Sequence, residues 1–214
     1  MDKPSKLYRD DPDEIDPQLR SDIDKVFLPT LKYLNTQNPR LLVVFSGGNA
    51  TGKSALSSKL AEEFKGLVLE NDGIKRAILS IKPDIDSAAL NVMTWQYSMD
   101  LYRRLPVLTN NGLIIRDGII DWYFDRVLPF FEAADYELFI IQYDISKEKA
   151  AKLIRARGDT PTVTADKLLL MLDDHAIHQQ RFRSMYQANV ILHENGIFDH
   201  DKVIQKLKST ILSK

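Results

Sequence analysis

Residues 41–54 read LLVVFSGGNATGKS. The first six positions form an unbroken apolar-to-small run, the composition of a strand covered on both faces. The remaining eight, GGNATGKS, fit the pattern G-x-x-x-x-G-K-[ST] at Gly47, Gly52, Lys53 and Ser54. Beyond them LSSKLAEEF (56–64) repeats its apolar residues with helical spacing. A strand, a glycine-rich turn and a helix in that order build an anion nest. The glycines let successive N–H groups turn inward, and the nest lies at the positive end of the helix. Gly47, Gly48, Asn49, Ala50, Thr51, Gly52, Lys53, Ser54 and Ala55 are therefore the expected phosphate-holding residues, with Lys53 reaching the β- and γ-phosphates and the Ser54 hydroxyl on Mg²⁺. The same stretch contains N-A-T at 49–51, a glycosylation sequon, which a buried nest leaves without meaning.

Outward from this loop the chain alternates short apolar runs with amphipathic segments. Candidate strands are 41–46, GLVLEN (66–71), GLIIRD (112–117), ELFIIQYD (137–144) and ANVILH (188–193). Helical period fills 53–65, 73–80, 86–105, 121–133, 146–157 and 165–187, and DKVIQKLKSTIL (201–212) reads as a closing helix. Continuous apolar strands separated by helices predict a three-layer α/β fold, a five-stranded parallel sheet with helices on both faces. Residues 1–40 read as an N-terminal extension, a polar tail followed by a helix over 17–36 with Leu19, Ile23, Val26 and Phe27 on one stripe. The main domain is expected over 41–214, with a lid around 155–175. Five acids between Asp10 and Asp16 lack the glycine spacing of a calcium loop and read as solvated tail.

Composition narrows the classes. The chain has 214 residues, of which 44% are hydrophobic and 28% charged, as expected of one globular α/β domain with a short extension. A net charge of −1 gives no overall pull toward nucleic acid or anionic membrane. With no cysteine, disulfides, thiolate metal sites and cysteine nucleophiles are excluded, and a reducing compartment is a natural fit. No secretory leader is visible, and no apolar stretch approaches the roughly 18 residues of a membrane span. The expected location is the cytoplasm, with no membrane partner. Nothing in the sequence speaks to oligomeric state.

Binding a nucleotide does not define a reaction, so the polar residues at the other strand ends matter next. In an open parallel sheet, ligands collect at the carboxyl ends of the strands. The second strand ends in NDGIKR, which offers Asp72, Lys75 and Arg76; the third ends in RDGIID, which offers Arg116, Asp117 and Asp121 at the same rim. Phosphoryl transfer uses these residue types: a carboxylate to orient the attacking hydroxyl, a second acid for magnesium, and cations for the moving charge. After the fourth strand, KLIRARGDTPTVTADK places Arg155 and Arg157 before a break at Gly158 and a Thr-rich loop. Arginines beside such a loop can close over phosphates; the plain alternative is a solvated helix end, where the dipole favours cations anyway. No N-K-x-D guanine motif occurs, so ATP is the expected nucleotide.

On GGNATGKS, LENDGIKRAI and KLIRARG the chain resembles the small P-loop kinases that include zeta toxins, chloramphenicol phosphotransferases and polynucleotide 5′-kinases, over about residues 41–205. The resemblance implies a third strand beside the loop strand, bringing Asp117 to Ser54 and the metal. It implies that Asp72 activates the acceptor hydroxyl, that Lys75 contacts the acceptor, and that Arg155 and Arg157 contact nucleotide phosphates. Two positions depart from the pattern. Gly73 stands where a second acid is common, and Lys75 stands where Arg is frequent, without its bidentate grip. The expectation is a kinase using ATP and Mg²⁺, moving the γ-phosphate to a hydroxyl of a small-molecule or nucleotide-like acceptor. A nucleic-acid acceptor, in the manner of a 5′-kinase or RNA-repair enzyme, stays open but less favoured, as does a non-catalytic ATP-sensing module.

Other features carry plainer readings. His175 and His178, in DDHAIH, share one helix face and read as solvated lid helix rather than a metal pair, since no further ligand is evident. Trp95 and Tyr102 read mostly as core, with contact to the acceptor as the sharper alternative, and Arg126 is weighed in the same way. Lys147, Lys149, Lys152, Arg155 and Arg157 form a basic run that reads as a partly solvated face.

Overall fold

The computed structural model describes residues 14–160, 163–196 and 198–214. The polar tail over 1–13, with its first acids, and Pro161 and Thr162 of the Thr-rich loop lie outside the described residues. β1 (Leu41–Ser46) occupies the centre of a sheet ordered β2-β3-β1-β4-β5, with β2 Leu67–Glu70, β3 Leu113–Ile119, β4 Glu137–Asp144 and β5 Val190–His193. All four pairings are parallel. This is the expected three-layer arrangement, and β3 lies directly against the loop strand.

All six β1 residues are buried, and their alternation sorts two cores. Leu42 and Val44 enter one with α1 (Pro17–Phe27), α3 (Asn71–Ile81), α4 (Ser87–Leu108) and α5 (Phe124–Glu132). Leu41, Val43 and Phe45 enter the other with α2 (Lys53–Phe64) and α9 (His200–Leu212). A third, smaller cluster joins α6 (Lys147–Arg157), α7 (Ala165–Leu170) and α8 (Leu172–Met185) through Ala150, Ile154, Leu168 and Leu172.

The expected extension is part of the larger core. Ile23 and Phe27 of α1 are 0% and 2% exposed, each stabilising the fold by about 2 kcal/mol. Tyr97 donates to Asp24 at 2.7 Å, and Arg104 clasps the same carboxylate through both terminal nitrogens at 3.0 Å. α1 thereby braces α3 and α4, the walls of the cleft.

Several boundaries differ from the sequence pattern. The helix expected over 17–36 ends at Phe27, where Pro29 permits only a 3₁₀ turn, Leu28–Thr30, before Tyr33 turns left-handed at φ 60°. The helix expected over 165–187 breaks at Met171 into α7 and α8. α3 begins at Asn71, placing Asp72 in its first turn, and β3 continues to Ile119. Side chains cap α1, α4, α6, α7 and α9 from Asp16, Asp86, Ser146, Thr164 and Asp199. By contrast α2 starts from left-handed Gly52 with no side-chain cap, so its first N–H groups stay available to a ligand. Among the described residues no helix is long and apolar enough to cross a membrane.

Candidate active site

Four of the six residues from Gly47 to Gly52 take positive φ: Gly47, Gly48, Ala50 and Gly52, at 81°, 59°, 59° and 82°. Glycine is required at Gly47, where an added Cβ would sit 2.7 Å from the Tyr143 carbonyl oxygen and collide with Gln179. Ala50 adopts the same region with a Cβ, a strain of about 1–2 kcal/mol. Lys53 is 9% exposed, and its Nζ donates to the Gly48 carbonyl and, at 3.1 Å, to Thr51 Oγ1. Burial lowers its pKa to about 8, opposed by the carboxylates of Asp117 and Asp121 and helped by Arg157.

The loop opens on a cleft of ≈ 330 Å³, within the size range of small-molecule sites. The cleft is lined by Asn49, Lys53, Ser54 and Asp117 together with Glu70, Asn71, Asp72, Lys75 and Asn91. Ile119, Trp122 and Tyr123 close one side; Arg157, Val163, Lys167, Leu168, Met171 and His175 roof it. Asp117 is a half-buried carboxylate whose pKa desolvation raises, against the pull of the facing Ser54 hydroxyl, Arg116 and Lys53. An oxygen pair of carboxylate and hydroxyl beside a phosphate nest suits a hard cation such as Mg²⁺. Asp72 has a side chain 48% exposed, 4.0 Å from Lys75 Nζ.

The cleft therefore brings together Lys53, Ser54, Asp117, Asp72, Lys75 and Arg157. Other expected residues lie elsewhere. Arg76 turns outward to pair with Glu70. Arg155 is exposed and does not line the cleft. Arg116 does not reach the rim: it is 1% exposed and donates to the Asp117 carbonyl at 2.6 Å, Asn71 Oδ1 at 3.2 Å and the Tyr123 hydroxyl at 2.7 Å. Neighbouring strand residues face opposite ways, so Arg116 and Asp117 cannot share a face. Asp121, expected on the acceptor side, is 2% exposed and accepts a hydrogen bond from the Gly47 amide at 2.6 Å, so it lies under the loop instead.

The lid helix also corrects its expectation. His175 is half-buried rather than fully solvated: desolvation lowers its pKa to about 4, with Lys53 and His178 adding to the shift, and its Nε2 lies 3.3 Å from Asn49 Nδ2. Trp122 sits edge-on to His175, with ring centroids 4.7 Å apart, and stacks on His178 at 4.3 Å. Trp95 and Tyr102 are both 4% exposed and pack on Tyr123 and Phe131, away from the cleft; Arg126 lies over the Trp95 ring. In the basic run, Lys147 pairs with Asp173 at 2.5 Å. No group of three or more His, Cys, Asp or Glu side chains suited to a metal occurs among the described residues.

Sequence reasoning missed Glu70, Asn91, Trp122 and Lys167. For Glu70 a signal was present, since it ends the second strand at the same carboxyl rim and pairs in register with Asp117; the helical residues Asn91 and Lys167 offered none. It also missed Phe198, a ring 59% exposed whose edge lies 3.1 Å from where a Cβ on Gly52 would be.

No protein-family model matches the chain, and no curated protein matches it. Solved structures do. The PezAT toxin–antitoxin system of Streptococcus pneumoniae aligns with a TM-score of 0.57 at 13% identity, covering 86% of this chain and 81% of that one. A gluconokinase from Sinorhizobium meliloti gives 0.54 at 14% identity, covering 83% and 97%. Shikimate kinase from Bacteroides thetaiotaomicron gives 0.51 at 13% identity, covering 79% and 98%. At these identities the likeness is one of fold, the parallel-sheet P-loop architecture.

Proposed function

We propose that the protein is an ATP-dependent kinase that transfers the γ-phosphate to a hydroxyl of a small-molecule or nucleotide-like acceptor. The observation that carries this reading is that the phosphate loop, Asp117, Asp72 and Lys75 all line one cleft. The fold likeness to two small-molecule kinases supports it.

In this reading the loop amides and the α2 N-terminus hold the β- and γ-phosphates, and charged Lys53 follows the γ-phosphate. Ser54 and Asp117 would hold Mg²⁺, which would neutralise charge on the phosphates. Asp72 accepts the proton of the acceptor hydroxyl and directs its lone pair at phosphorus, while Arg157 offsets developing charge. The nucleoside base seats against Phe198, the exposed ring abutting Gly52. Asn71 and Asn91 offer hydrogen bonds to the acceptor, and the roof residues Leu168 and Met171 exclude water. A panel of alcohols, sugars, nucleosides and 5′-hydroxyl oligonucleotides incubated with γ-labelled ATP and Mg²⁺ tests the reading. Label in an acceptor with wild type, and none with Asp72→Asn, is expected. ATP binding without transfer to any acceptor would instead favour a nucleotide-sensing module.

A further inference from the structure

The turn after β3 sends two adjacent side chains to two different partners. Asp121, 2% exposed, takes the Gly47 amide at 2.6 Å. Trp122 contacts His175 and His178 on α8. Those partners meet again above the loop. His175 reaches Asn49, and Gln179 donates to the Tyr143 carbonyl at 3.0 Å, over the face of Gly47. Gly47 is thus bonded by the Asp121 carboxylate on one side and covered by Gln179 of α8 on the other, while Trp122, the residue after Asp121, packs on the same helix.

We propose that Asp121 is a positioning residue for the phosphate loop, fixing the Gly47 amide so that the amides after it point at the phosphates before they bind. The inference rests on the kinase reading of the same site. It differs from the catalytic roles because Asp121 touches neither phosphate nor acceptor. A loop fixed beforehand needs no reorganisation when the ligand arrives. The carboxylate also has an opposing effect, since its negative charge lies close to the place an anion occupies. Lys53 from α2 and Arg183 from α8 face it and temper that charge. The Tyr123 phenol also feels it and is held neutral by burial. Burial pushes the Asp121 carboxyl up to about 6, while Ser46, the Gly47 amide and the two cations pull it down. The hydrogen bond and the charge therefore act in opposite directions, and substitution separates them.

The test is binding of ATP with Mg²⁺ by the full chain at pH 7.5, measured calorimetrically for wild type, Asp121→Asn and Asp121→Ala. Asn keeps an oxygen for the Gly47 amide and loses the charge, so it is expected to bind as tightly as wild type or a few-fold tighter. Ala loses the bond and is expected to bind at least tenfold more weakly. Any gap between wild type and Asn should close as pH falls through about 6, where wild type becomes neutral too. Lys53 titrates in both proteins and cancels in that comparison. A residue that merely supports the fold would lower Tm in Ala without changing the affinity of the folded protein, and that result overturns the proposal. So does an Asn variant as weak as Ala. Should Ala fail to fold, the Asn comparison across pH decides. Absence of triphosphate binding by wild type would refute the kinase reading itself. The positioning role is then read from hydrogen exchange of the Gly47 amide: protection in wild type and Asn but not Ala supports it, and equal protection in all three overturns it.

Discussion

The guanidinium of Arg116 donates to the Tyr123 hydroxyl at 2.7 Å inside the sheet-to-helix core, 1% exposed. A cation there is tolerable because both terminal nitrogens are bonded, although Nε has no partner. Besides Tyr123 it reaches the Asp117 carbonyl and Asn71 Oδ1, and the rings of Tyr102 and Tyr123 lie 6.0 and 5.5 Å from its central carbon. One buried side chain thus ties the Asp117 backbone near the end of β3, the first residue of α3 and the turn after β3.

Replacing that strut should be costly. Arg116→Leu removes the donor to the Asp117 carbonyl, Asn71 Oδ1 and the Tyr123 hydroxyl, of which Asn71 Oδ1 keeps Ser98 Oγ at 3.5 Å, and about 3 kcal/mol of stability should be lost. Urea unfolding followed by circular dichroism measures it; a change below about 1 kcal/mol would show that the acceptors find other donors.

Lys53 sets an alkaline limit on nucleotide binding. Burial depresses its pKa to about 8, so the ammonium that phosphates need is lost above that pH rather than near 10.5. Affinity for ATP should therefore fall as pH rises through 8, and binding just above that pH should take up protons. Calorimetry in buffers of different ionisation enthalpy reports the uptake, and Lys53→Ala should bind weakly with no break near pH 8.

Asp72 should separate transfer from binding. Asp72→Asn keeps the shape and removes the base, which lowers kcat by about 10²–10⁴-fold while ATP affinity moves less than about threefold. Radiolabel transfer and equilibrium binding on one preparation check both. Undiminished transfer would remove Asp72 from the role of base.

Gly73 explains one departure from the kinase pattern and predicts its cost. A Cβ there would lie 2.9 Å from Glu70 Oε1 and 3.1 Å from Phe27 Cε2. Gly73→Asp therefore sets a carboxylate against another and against a packed ring, and Tm should drop by several degrees. Pairing it with Phe27→Leu should recover part of the loss if the ring is the obstacle.

His175 adds an acid-side limit on stability. Its folded pKa of about 4 lies below the ordinary value of 6.5, so its contribution is present above 6.5 and is lost as pH falls from there toward 4. His175→Gln should flatten that part of the stability–pH curve measured by thermal unfolding.

The strands and the phosphate loop were legible because each is a local signal: an apolar run of fixed length, or glycines at fixed offsets. Asp117 was placed beside Ser54 by strand order, which the resemblance carried. Asp121 and Arg116 were misplaced for a shared reason. Reading DGIID as one rim ignored both the two-residue alternation and the extra length of β3, which runs to Ile119 before the chain turns under the loop. Trp122 and His175 were illegible, because the two lie far apart in sequence and meet only through the folding of α8 over the loop. The break at Met171 carries no proline or glycine and left no mark in the periodicity.

The small cluster of Ala150, Ile154, Leu168 and Leu172 is separate from both sheet cores, and Ala50 packs against it. The roof of the cleft thus has a cluster of its own, tied to the sheet through α8, where Gln179 donates to the Tyr143 carbonyl and Phe182 enters the larger core. Because this cluster rests on Ala50, the left-handed alanine of the loop, any loss of order in the roof would also unclamp that residue.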